Sequence, residues 1–144
     1  MEEHLRSLTA SLDVSEQVHF LGYKTNVGEV LDGLDVIVQS SEGEPFGLAM
    51  LEACAIGALP IVFSDAGGPL ETLPPDGVVV ESVTDFARTL DGLVGSDLLG
   101  DDARLKRAAW VKQHFSIEAT ACGYLALYEA AIAGENHRRS SEPH

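Results

Sequence analysis

Cations are scarce in this chain: 9 Lys and Arg stand against 23 Asp and Glu, for a formal net charge of −14. That balance excludes nucleic acid as the main partner, because phosphate backbones are held by clustered cations. An anionic membrane surface is excluded on the same ground. No apolar run reaches the roughly 18 residues that a spanning helix needs. The opening stretch MEEHLRSLTA has neither the basic start nor the apolar centre of a signal peptide. Cysteine is equally sparse. Cys54 and Cys122 lie far apart, with no CxxC or Cys/His cluster, so no metal site is expected. Both are read as buried free thiols, which fits a cytoplasmic setting.

What is present suits one globular domain. The chain has 144 residues, 45% of them hydrophobic, enough to bury a real core. The domain is expected over residues 1–133, with 134–144 as a polar, flexible tail. Short apolar runs bounded by turn residues predict strands at Val18–Leu21, Val36–Gln39, Pro60–Phe63 and Val78–Val80. Helical patterns are predicted at Glu2–Leu12, with Leu5, Leu8 and Leu12 at helical spacing, at Asn26–Leu31 with Asn26 as cap, at Gly47–Ile56 ended by Gly57, at Pro69–Thr72, at Thr84–Leu93 with Thr84 as cap, at Asp101–Gln113, and at Ser116–Ala133, capped by Ser116 and core-facing through Ala119, Cys122, Leu125, Leu127 and Tyr128. Such alternation is the pattern of an α/β domain with a Rossmann-like parallel sheet. The chain opens directly on an amphipathic helical pattern, which predicts that upstream context is absent.

Chemistry concentrates in Ser40–Thr72, SSEGEPFGLAMLEACAIGALPIVFSDAGGPLET. A strand ends near Gln39, a glycine-containing loop follows, and a helix begins near Gly47. Ligands of open α/β sheets bind at such strand ends. A helix N-terminus there offers free N–H groups and a positive dipole end, suited to phosphate. Gly47 would let a ligand approach the backbone closely. Glu52 sits in a helix apolar on nearly every face; it either finds a partner or points out from one exposed edge. Taken singly, Glu44 reads as a complement to the helix end and Gly67–Gly68 as a plain turn.

Taken together, these pieces resemble a known family. Glu44 and Glu52 enclose seven residues in EPFGLAMLE, followed by EACAIGALPIV and SDAGGPLE. This is similar to the EX7E region of GT-B glycosyltransferases, and in particular to the glycosyl transferases group 1, also labelled family 4. The pieces FLG, DVIVQSS, LEA, GGPLE and the closing LALYEAA fall in matching order. The resemblance runs from about Met1 to Ala133. It implies the donor-binding, C-terminal half of a GT-B fold and retaining transfer from a nucleotide-diphosphate sugar to an unknown acceptor. Glu44 would bond donor-sugar hydroxyls, and Glu52 the ribose hydroxyls. Backbone N–H groups of Phe46, Gly47 and Leu48 would face sugar and diphosphate, while Tyr23 and Lys24 would border the base. No metal or other cofactor is implied, and no residue is singled out as catalytic.

The chain also departs from that family. The acceptor domain and the diphosphate-neutralising Arg and Lys of a GR…KG region have no counterpart here, and Lys24 is a poor substitute. By the family's strand order 3-2-1-4-5-6, the four expected strands would be the third to sixth, leaving the sheet incomplete at its N-terminal side. Val18–Leu21 would lack a partner and Val36–Gln39 would present a bare edge, which recruits other chains. The expectation is a fragment that works with a separate N-terminal GT-B chain or self-associates through that edge. The alternatives are a non-catalytic nucleotide-sugar-binding module and an interaction protein.

Overall fold

The computed structural model describes the backbone of residues 1–140 and the side chains of residues 1–133. Three parallel strands form its sheet: β1 (Val36–Gln39), β2 (Leu59–Phe63) and β3 (Val78–Val80), in that spatial order. β1 pairs with β2 from Val36↔Leu59 to Gln39↔Val62, and β2 with β3 from Ile61↔Val78 to Phe63↔Val80. The helices are α1 (Glu2–Ser11), α2 (Val27–Leu31), α3 (Leu48–Ala55), α4 (Gly68–Glu71), α5 (Val83–Leu93), α6 (Asp101–Phe115) and α7 (Ile117–Ser140). A single 3-10 turn, Asp97–Leu99, precedes α6.

β2 is central, and its alternation builds two cores. Val62 faces Met50, Leu51 and Cys54 of α3 and Val111 of α6. Leu59 and Ile61 face the other way, onto Val80 and onto Leu93 of α5. Helices therefore cover both sides of the sheet, as a parallel sheet requires. α3 ends in the manner expected: Gly57 takes φ +100° and Ala58 N–H reaches back to Ala53 O. A Cβ at Gly57 would lie 2.9 Å from Arg104 Cβ, so α6 can pack close against this turn.

Arg107 of α6 is the largest fully buried side chain. Its guanidinium donates to Gly57 O, to Leu98 O at 3.0 Å, and to both oxygens of Asp76 at 2.7 and 3.3 Å. One planar fork thus ties α6 to the α3–β2 turn, to the loop before β3 and to the 3-10 turn.

Several expectations need correction. Val18–Leu21 is not a strand; it runs irregularly, with Val18 and Leu21 exposed. A β-rich run becomes a strand only when a neighbour takes its N–H and C=O groups, and among the described residues none lies beside it. α1 buries nothing, so its Leu5, Leu8 and Leu12 stripe stays exposed. Asn26 is the N-cap of α2, as expected, but its side chain makes no capping bond; its Nδ2 donates to Glu29 Oε1 at 2.6 Å. α5 is capped by Ser82, whose Oγ accepts from Asp85 N, and not by Thr84. α7 is capped by Ser116, yet Tyr124, Leu125, Leu127 and Tyr128 are exposed, so it does not face the core. Its helix continues to Ser140, past the expected end at Ala133, and 141–144 lie outside the described residues. Cys54 is buried as expected, but Cys122 is exposed on α7.

Candidate functional site at the strand tips

The loop after β1 and the loop after β2 are joined. Gly43 N–H donates to Asp65 O at 3.1 Å, Glu44 N–H to Ala66 O at 2.8 Å, and Gly68 N–H to Glu44 O at 2.8 Å. They form a one-pair parallel bridge, Glu44↔Gly67, beyond the ends of the strands. The buried Thr72 donates its hydroxyl to Phe46 O at 3.0 Å. Gly68 must be glycine for this approach, because a Cβ there would lie 2.0 Å from Pro45 O. The GGPLE segment is therefore a clamp on the first loop, not the plain turn it reads as in isolation.

The clamped loop sets the start of α3. Gly47 is its N-cap at φ +87°, a left-handed conformation that glycine adopts without strain. Glu44 is half-buried and folds back on this helix end. Its Oε1 accepts from Gly47 N–H at 3.2 Å and more weakly from Phe46 N–H at 3.4 Å. The Phe46 ring meets Phe115 edge-on, with centroids 6.0 Å apart, and so leans on the end of α6.

Beyond Gly47, α3 has two faces. Met50, Leu51, Ala53 and Cys54 are buried, while Leu48, Glu52 and Ala55 form an exposed stripe at helical spacing. Glu52 takes the outward option. Phe46, Leu48 and Glu52 share one groove of about 360 Å³, walled by Leu51, Ala55, Val111, Phe115 and Thr120. Glu44 does not line that groove. Tyr23 and Lys24 are exposed in the irregular segment before α2, away from the groove's walls. Of the seven expected site residues, the structure gathers four on the loop and first turn of α3, adds Glu52 one turn on, and leaves two apart.

A larger hollow of about 680 Å³ lies against the start of α6, lined by Asp76, Asp97, Asp101 and Asp102 and by two cations, Lys106 paired with Asp102 and Arg107 paired with Asp76. Burial pushes the Cys54 thiol up to about 12, with Arg107 opposing and Asp76 reinforcing the shift. Cys54 is therefore an inert core thiol. Among the described residues no group of three His, Cys, Asp or Glu side chains is placed to hold a metal ion. No described helix is long and apolar enough to cross a membrane.

Two contributors escaped the sequence reading. Thr72 carries no local signal, since its partner Phe46 lies 26 positions away. Arg107 had one: it precedes Trp110 and Val111 by three and four positions, on the face of α6 that is buried.

Fold and loops together define a Rossmann-like α/β domain, present here as a three-stranded part, whose loops after β1 and β2 are clamped together at the strand tips. The chain belongs to the glycosyl transferases group 1 family, whose model matches residues 1–110. It is 34% identical over 138 residues to a D-inositol 3-phosphate glycosyltransferase of Mycobacterium marinum, covering 89% of this chain and 29% of that protein. It is 31% identical over 130 residues to the lipopolysaccharide core biosynthesis glycosyltransferase LpsE of Rhizobium meliloti, covering 87% and 38%. A glycogen synthase of Deinococcus deserti is 31% identical over 137 residues, covering 88% and 30%. The chain thus spans about a third of the length of these relatives.

Proposed function

We propose that this chain supplies the donor-binding part of a retaining GT-B glycosyltransferase and binds a nucleotide-diphosphate sugar. The observation that carries this reading is the clamped EPFG loop at the strand tips, with Glu44 on it and Glu52 on the helix that follows, in a chain of this family. Glu52, outward on α3, accepts the ribose hydroxyls. A carboxylate takes two hydroxyl donors at once, and such charge-assisted bonds are strong. Glu44 accepts from hydroxyls of the sugar. The end of α3 stabilises charge on the departing diphosphate. Tyr23 and Lys24 approach the base only if the segment before α2 packs inward. The reading includes no metal and no side-chain nucleophile, and places the chain in the cytoplasm with its donor.

A second element of the reading concerns partners. β1 pairs only with β2 among the described residues, and Val38 on that edge is exposed. The Leu5, Leu8 and Leu12 stripe of α1 and the apolar residues of α7 are also uncovered. A separate GT-B chain covers this edge and supplies the acceptor site and the diphosphate-binding cations; a second copy of this chain would cover the edge alone.

The test is calorimetry on the full chain with UDP-glucose and GDP-mannose. Glu52→Gln is expected to weaken the ligand that binds by about tenfold or more, the worth of a charged hydrogen bond. Unchanged affinity would remove Glu52 from the site, and a wild-type chain that binds neither donor would overturn the reading.

A further inference from the structure

The clamp holds the loop after β1 by its backbone and leaves one side chain of that loop to be held from elsewhere. Thr72 fixes the Phe46 carbonyl, yet the Phe46 ring is 42% exposed. Gly47, next in the chain, adds no stiffness of its own. The ring rests instead on the last residue of α6. Phe115 meets it at an interplanar angle of 80°, the edge-to-face arrangement that aromatic pairs favour.

Phe115 is itself firmly placed. It packs against the core built on Met50, Val62 and Val111. Behind it stands Trp110, edge-on with centroids 5.6 Å apart, and Trp110 stacks on His114 at 4.5 Å. The buried Arg107 fork pins the same helix about two turns earlier. Phe46 and Phe115 are also both walls of the groove that Glu52 enters, so the spacing of these two rings sets one side of it. We infer that Phe115 is a positioning residue: through the Phe46 ring it fixes the EPFG loop in the placement that donor binding requires. This rests on the donor-binding reading above. The support it describes comes from outside residues 1–110, the part of the chain that the family model matches.

The experiment measures UDP-glucose and GDP-mannose affinity by calorimetry for wild type, Phe115→Leu, Phe115→Tyr, Phe46→Leu and the double leucine variant. Phe115→Leu keeps apolar bulk against the core but removes the ring edge. It is expected to weaken the donor that binds by about threefold to tenfold, the worth of an aromatic pair. Phe115→Tyr, which keeps the edge, is expected to restore most of that affinity. In the Phe46→Leu background, Phe115→Leu should weaken binding no further, an outcome that lost core packing alone would not give. If Phe115→Leu binds as tightly as wild type, or its effect persists undiminished beside Phe46→Leu, the inference fails and the donor-binding reading stands. If the wild-type chain binds neither donor, both fall. Trp110, the chain's only tryptophan, gives a second readout. Saturating donor should change its fluorescence in wild type and in Phe115→Tyr but not in Phe115→Leu. A change that survives Phe115→Leu, or none in wild type, would also overturn the inference.

Discussion

Replacing Arg107 by Met is the sharpest test of how this fold is held together. The side chain is 1% exposed, so the substitution keeps much of its volume and removes every polar bond it makes. Gly57 O, which is buried, and Leu98 O, which is half-buried, lose the guanidinium that serves them; an unsatisfied buried carbonyl costs about 1–3 kcal/mol, and water recovers part of the loss at Leu98. Asp76 also loses its bidentate partner, but its side chain is 28% exposed and water recovers part of that loss. Met regains some apolar burial, about 1–2 kcal/mol. The net expectation is a loss of about 3 kcal/mol, within the range for breaking a buried pair from one side. Against a typical total of about 5–15 kcal/mol this is a large fraction. Urea unfolding followed by circular dichroism measures it, with the exposed Arg88→Met as control. A loss for Arg107→Met no larger than that for Arg88→Met would refute the reasoning.

Other outcomes follow from the same geometry. Below pH 9 a thiol reagent should label Cys122 and spare Cys54, since one is exposed and the other is buried with its thiol raised to about 12. The raised value also sets a pH dependence. The protonated thiol is favoured in the fold, so its contribution is full below the unfolded value of 9.0 and is lost as pH climbs toward about 12. Unfolding free energy should therefore fall across that window, and Cys54→Ala, though less stable at neutral pH, should show a shallower fall. Gly68→Ala should cost at least the upper end of the roughly 1–3 kcal/mol typical of overpacking, because the added carbon meets backbone rather than a movable side chain. Melting of that variant within a degree of wild type would show that the clamp is looser than described.

What the sequence made legible follows from range of interaction. β1 and β3 were bounded correctly and β2 to within one residue, because valine and isoleucine runs between turn residues carry their own signal. The Gly57 stop of α3 and the Ser116 cap of α7 were equally local. Val18–Leu21 carried the same kind of signal and still failed, since a strand is made by its neighbour. α7 failed on burial for a related reason: periodicity shows which side of a helix is apolar, not whether anything covers it. At the site, the loop and α3 were placed from sequence, but the clamp that joins Glu44 to Gly67 and Phe46 to Thr72 spans more than twenty positions and left no trace in spacing. Arg107 was overlooked because a charged residue is assigned to the surface unless a partner is known.

The one-pair bridge between Glu44 and Gly67 has a consequence for how such a site can change. Two strand-tip segments share a single backbone register, so lengthening or shortening either one displaces the other. Variation in ligand preference must then come through side-chain exchange at fixed length, or through matched changes in both segments at once. A library that randomises residues 44–48 without altering their number should retain folded members, whereas single-residue insertions there should not.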